Sequence, residues 1–160
     1  MNSFVTSPAA CLHEEQQAVR ALTQLLMLEQ EELIQANTEA VASLTAPKAQ
    51  AAAAISQLSQ QRYQALASAG FDANDNGMQA WVESGAVSKE ASDHWHQLID
   101  LAKTAHEVNR VNGTLINKQI IRTQNALNVL QHGSVQGNNL CYGPDGQTSS
   151  AARGRHIAAG

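Results

Sequence analysis

The chain has 160 residues and a net charge of -4, with 43% hydrophobic but only 4% aromatic residues. So few aromatics argue against a globular α/β core, and much of the apolar content is Ala, which with Leu and Gln suits helices in thin bundles or coiled coils. No basic stripe marks a nucleic-acid surface, no apolar run nears the ~20 residues of a membrane span, and the N-terminus lacks the basic start and apolar centre of a signal peptide.

Ser7-Pro8 predicts a helix start, with Ser as cap and Pro at the first helical position. Leu12, Val19, Leu22, Leu26 and Leu33 then follow at spacings of three, four and seven. They define one helical face, with Glu29 its single charged member. The pattern weakens at Asn37-Thr38, and a short helical piece is expected from Thr38 to Leu44. Thr45-Ala46-Pro47 reads as a second start. The second long helix is expected from about Pro47 to Ala69, with Ile55, Leu58, Ala65 and Leu66 inward and Gly70 as its C-cap.

Phe71 to Val87 reads as a connection with the turn-like string Asp72-Ala73-Asn74-Asp75-Asn76-Gly77. Within it Met78 to Glu83 is expected to form a helical turn carrying Trp81. Ser88 caps a third helix with Glu90 in its first turn, where a negative charge suits the dipole. No Pro occurs from Ser88 to Gln131, so that helix could reach roughly 65 Å at ~1.5 Å per residue. Trp95, Ile99, Ala102, His106, Asn109, Gly113, Ile116, Ile120, Thr123, Leu127 and Leu130 step by four and three along it. This predicts one continuous seam, apolar at both ends and polar or small at His106-Asn109-Gly113. The expected fold is all-α: three long antiparallel helices on an up-down-up path, elongated, with short helical pieces. Part of the third helix is expected to extend past its shorter neighbour. The expected domains are a bundle over 1–132 and a flexible tail over 133–160.

Catalytic and metal patterns are missing from the sequence. His94 and His96 are two apart and point in different directions on a helix. Glu-x-x-His, the di-iron signature of four-helix bundles, does not occur. There is no Gly-rich phosphate loop, nucleophile elbow or Cys-x-x-Cys. Cys11 and Cys141 form no disulfide framework. The reading is a cytoplasmic protein that is not an enzyme and uses no cofactor or metal. Periodicity alone leaves two roles open: a coiled-coil subunit that oligomerises through its seam, or a binder of helical partners.

Three strings in order narrow the choice. His106-Glu107-Val108-Asn109-Arg110-Val111-Asn112-Gly113-Thr114-Leu115-Ile116 resembles the Asn-x-x-Asn-Gly-x-Leu/Ile segment of the FlgN family. Ala126-Leu127-Asn128-Val129-Leu130 is similar to its Ala-Leu-x-x-Leu, and Tyr142-Gly143-Pro144-Asp145-Gly146-Gln147-Thr148 to its Tyr-Gly-x-Asp-Gly-Gln-Thr tail. Cys141 stands where the family pattern has Leu. The resemblance implies a small cytoplasmic helical export chaperone of the flagellum. Such a chaperone holds the C-terminal segments of two hook-associated (hook-filament junction) proteins, prevents premature assembly and delivers them to the type III export apparatus.

Two surfaces follow as expectations. Leu115, Ile116, Ile120, Ile121, Leu127 and Leu130 form a stripe that reads equally as internal core or as client-binding surface. In the tail, Gly143-Pro144-Asp145-Gly146 suits a type I turn. It would present Tyr142, with Leu140 beside it, to the cytoplasmic domain of the export gate, the partner that the resemblance implies. A homodimer is also left open; nucleic acid and membrane insertion are not expected.

Overall fold

A computed structural model describes residues 7–85 and 87–136. Among the described residues the regular structure is helical: α1 (Leu12–Ile34), α2 (Thr38–Ser43), α3 (Thr45–Ser68), α4 (Asp75–Glu83) and α5 (Lys89–Gln136). The chain divides into two units, Met1–Gln119 and Ile120–Gly160.

Helix ends follow local chemistry. Ser7 and Pro8 open a turn in which the Ala9 amide donates to Ser7 Oγ, but regular α-helix begins only at Leu12. The expected start is thus corrected by four residues. Asn37 caps α2 by accepting from the Ala40 amide at 3.3 Å. Thr45-Ala46-Pro47 opens α3, and Pro47 sits in the first turn, where the missing amide has no intrahelical acceptor to lose. Gly70, at φ +83°, ends it as expected. There the Phe71 amide reaches back to Leu66 O. Ser88 Oγ accepts from the Ala91 amide at the start of α5.

The string from Asp72 to Gly77 is only partly a turn. Asn74 is an N-cap, accepting from the Gly77 amide at 2.8 Å, and α4 runs nine residues from Asp75. Gly77 is required here, because a Cβ on it would lie 1.9 Å from the Asp72 carbonyl oxygen.

Within the first unit the path is up, down, up. Glu15 meets Ser59 and Arg62, while Glu29 meets Lys48, so α1 and α3 are antiparallel. Gln16 meets His94, Leu26 meets Asn112 and Leu33 meets Gln119, so α1 and α5 run the same way. Asn112 and Gln119, seven residues apart on α5, donate side-chain amides to the carbonyls of Leu26 and Leu33, seven apart on α1. The core is the α1 stripe Leu12, Val19 and Leu26 packed with Leu66, Met78, Trp81, Trp95, Leu98 and Ala105. Leu33 is buried too, and Ile55 and Leu22 are partly buried against the core.

Charge is buried inside this bundle at residues that the sequence did not single out, Arg62 and Glu15. Arg62 and Glu15 are 4% and 2% exposed. The guanidinium donates to both Glu15 carboxylate oxygens and to Asp75 Oδ1, and lies 4.9 Å from the Trp95 ring centroid. Burial opposes the charge on Arg62, but the bonds and field of Glu15 and Asp75 outweigh it and raise the pKa. Burial and the bond to Asp75 push the Tyr63 hydroxyl up as well.

Candidate functional site

The long helix α5 shows two faces. Its buried line runs through Trp95, Leu98, Ala105 and Asn112, with Leu101, Val108, Leu115 and Gln119 half-buried. The expected seam through Ala102, His106, Asn109, Gly113 and Ile116 is displaced by one residue: these five are exposed. The register-fixing polar group is therefore Asn112, 1% exposed, and neither Asn109 nor His106. Its Nδ2 donates to Leu26 O and to Glu29 Oε2 at 2.8 and 2.9 Å. Glu29, itself buried, is also held by Lys48, and Asn112 Oδ1 has no partner.

Beside the seam lies a groove of about 440 Å³. Leu22 and Leu26 of α1, Ala49 and Ala52 of α3, and Ala105 of α5 make its apolar surface; Lys48, His106 and Asn109 add polar groups. Its cause is compositional. From Thr45 to Ala54 α3 has no side chain larger than Ala that is apolar, apart from Pro47, so nothing on it fills the space towards α5. This groove was not expected, although the Ala-rich run could have signalled it.

The apolar residues singled out on α5 lie as follows. In the first unit Leu115 is half-buried and Ile116 is at the margin of exposure. In the second unit Ile120, Ile121, Leu127 and Leu130 are exposed, Leu127 by 51% and Leu130 by 70%. Val129, not singled out, is 71% exposed. Leu140 and Tyr142, the expected gate-docking pair, lie outside the described residues. The exposed pair Glu107 and Arg110 is joined by two hydrogen bonds, which lower the Glu107 pKa and raise that of Arg110. Among the described residues no group of three or more His, Cys, Asp and Glu could hold a metal ion, and no helix is long and apolar enough to cross a membrane.

The class defined by these features is an all-α bundle that leaves an apolar groove open and keeps large aliphatic side chains exposed on its longest helix. The chain belongs to the FlgN family: the family model described as FlgN protein matches residues 1–150. The family is one of flagellar export chaperones, which agrees with the resemblance carried by the α5 strings. No curated protein and no solved structure matches the chain.

Proposed function

We propose that this chain is a cytoplasmic chaperone for the hook-associated junction proteins, holding their C-terminal segments before export. It acts by binding alone, without catalysis or cofactor. The observation that supports this reading is the exposure of Ile120, Ile121, Leu127 and Leu130 on α5. Large contiguous apolar patches on a soluble surface mark sites of interaction. Covering each such side chain fully is worth roughly 1.5–3 kcal/mol. Several together offset the ~2–5 kcal/mol needed to order a disordered terminus.

The test is Ile120→Asp with Leu127→Asp, assayed by co-purification with the junction proteins of the same genome. Binding should be lost while helicity and melting temperature hold. A folded variant that still binds its clients would sink the proposal. The same exposed residues suit a second reading, a coiled-coil subunit that self-associates and has no client. Under that reading sedimentation would show an oligomer that the double variant dissociates, and no junction protein would co-purify.

The bundle and tail, 1–132 and 133–160, divide the work. Leu140 and Tyr142 engage the cytoplasmic domain of the export gate. Tyr142→Ala should leave client binding intact but weaken gate binding and swimming. Unchanged gate binding and motility after removal of everything beyond Asn138 would rule the docking role out.

A further inference from the structure

The first unit leaves one side of α1 and α5 uncovered. At about 100° per residue, Arg20, Met27, Glu31 and Ile34 fall within about 60° of one another on α1. Glu15 and Glu29, which bond to α3, stand about 200–240° round the helix from Met27. On α5, Glu107, Val111, Leu115 and Lys118 share an arc of about 80°. Ala105 and Asn109, which line the groove beside α3, stand about 120–160° from Val111. The two arcs adjoin along the seam where Asn112 meets Leu26, on the side away from α3. All eight residues lie in the first unit. Met27 is 45% and Ile34 70% exposed, and Val111 and Leu115 are half-buried.

The charges at the corners of this face are ordered. Arg20, Glu31, Glu107 and Lys118 are all exposed. Glu107 holds Arg110, while among the described residues Arg20, Glu31 and Lys118 enter no ion pair. α1 and α5 run the same way, with Leu26 level with Asn112 and Leu33 with Gln119. Arg20 and Glu107 therefore mark one end of the face, and Glu31 and Lys118 the other. Each helix carries unlike charges eleven residues apart, close to three turns, and their order is opposite on the two helices. Met27, Val111 and Leu115 lie between. Such a face is complementary to itself. A second copy laid antiparallel, α1 on α1 and α5 on α5, sets Arg20 against the partner's Glu31 and Glu107 against the partner's Lys118. Laid parallel, α1 on α5, it sets Arg20 against the partner's Glu107 and Glu31 against the partner's Lys118. A two-fold axis makes each unlike pair twice, as an isologous contact requires. A partner of one sign of charge would meet two favourable corners and two unfavourable ones.

We propose that this chain forms a two-fold dimer with a second copy of itself through the α1–α5 face bounded by Arg20, Glu31, Glu107 and Lys118. Met27, Ile34, Val111 and Leu115 supply apolar contact, and the four corners fix the register and suppress wrong partners. From Arg20 to Ile34 the face is about 21 Å long, and it is two helices wide. That is the small end of specific interfaces, so the dimer is reversible. Because the corner charges are exposed, it weakens as salt shortens the screening length, about 10 Å at 0.1 M. It does not depend on Ile120, Ile121, Leu127 and Leu130, the residues proposed for the client.

Sedimentation equilibrium of the full-length chain at low salt tests this, and should show a reversible monomer–dimer equilibrium. Arg20→Glu with Lys118→Glu makes all four corners acidic, and Glu31→Lys with Glu107→Lys makes them all basic. The four positions are exposed, so both variants should keep their helicity. Each variant alone should dimerise at least about tenfold more weakly than the native chain, and mixing the two should restore association as a heterodimer. Ile120→Asp with Leu127→Asp should leave the native dimer intact. A native chain that sediments as a monomer at its highest soluble concentration would overturn the proposal. So would a dimer that both charge variants leave unchanged, or one that the Asp variant dissociates. If the native chain is a monomer and the acidic variant instead loses the junction proteins, the occupant of this face is the client and not a second copy.

Discussion

Replacing Arg62 by Ala tests how the first unit is held together. Three guanidinium hydrogen bonds disappear, two to Glu15 and one to Asp75. Asp75, with its side chain 58% exposed, is rehydrated, and its share is about 0–1 kcal/mol. Glu15 is different: its side chain is 3% exposed, and its remaining side-chain partner is Ser59 Oγ at 2.7 Å. Stranding a buried charge in this way costs about 3–5 kcal/mol. Loss of the stacked cation from Trp95 adds to that, so Arg62→Ala should lose about 4 kcal/mol in urea unfolding followed by circular dichroism. That is a large share of the ~5–15 kcal/mol typical of a domain. The companion variant Arg62→Met with Glu15→Leu removes both charges and keeps the volume. It should recover at least about 2 kcal/mol relative to Arg62→Met alone. A loss below about 1 kcal/mol for Arg62→Ala, or no recovery in the double variant, would refute the argument from the stranded carboxylate.

Three further substitutions probe single features by the same unfolding assay. Asn112→Ala removes the bonds to Leu26 O and Glu29 and should destabilise by about 1–3 kcal/mol. Gly77→Ala ordinarily favours a helix, but here its methyl meets the Asp72 carbonyl, so a loss of about 1–3 kcal/mol is expected. Ala36, at φ +57°, occupies the left-handed position after α1. Ala36→Gly should therefore raise stability by about 0.5–1 kcal/mol, and a loss would show that this backbone is unstrained.

The legible parts of the fold were those written in large aliphatic side chains. Leu12, Val19, Leu26 and Leu33 are all buried at the spacing read from the sequence, as are Ala65 and Leu66 at the end of α3. Gly70 and Ser88 mark helix ends by their own chemistry. Arg62 and Glu15 were invisible because an isolated charge in a helix normally signals solvent; only their pairing across two helices permits burial. The slip of the α5 seam has a similar cause. Between Ala102 and Gly113 the inward line carries one large apolar residue, Val108, beside Ala105 and Asn112, so hydrophobicity marks only weakly which line faces inward. Hydrogen bonding of Asn112 to α1 decides it. On α5 the exposed residues looked the same as core, since periodicity records that a face is apolar and not what covers it.

The paired amides of α5 also bear on how sequences of this kind can change length. Asn112 and Gln119 reach carbonyls on α1 with the same seven-residue interval. Inserting or deleting one residue between them would turn the second amide by about 100° around the helix, away from its acceptor. The loop from Ala69 to Asn74 faces no such rule and can lengthen. Between Leu26 and Leu33, and between Asn112 and Gln119, change should come as substitution alone, or as whole heptads gained or lost in both helices together.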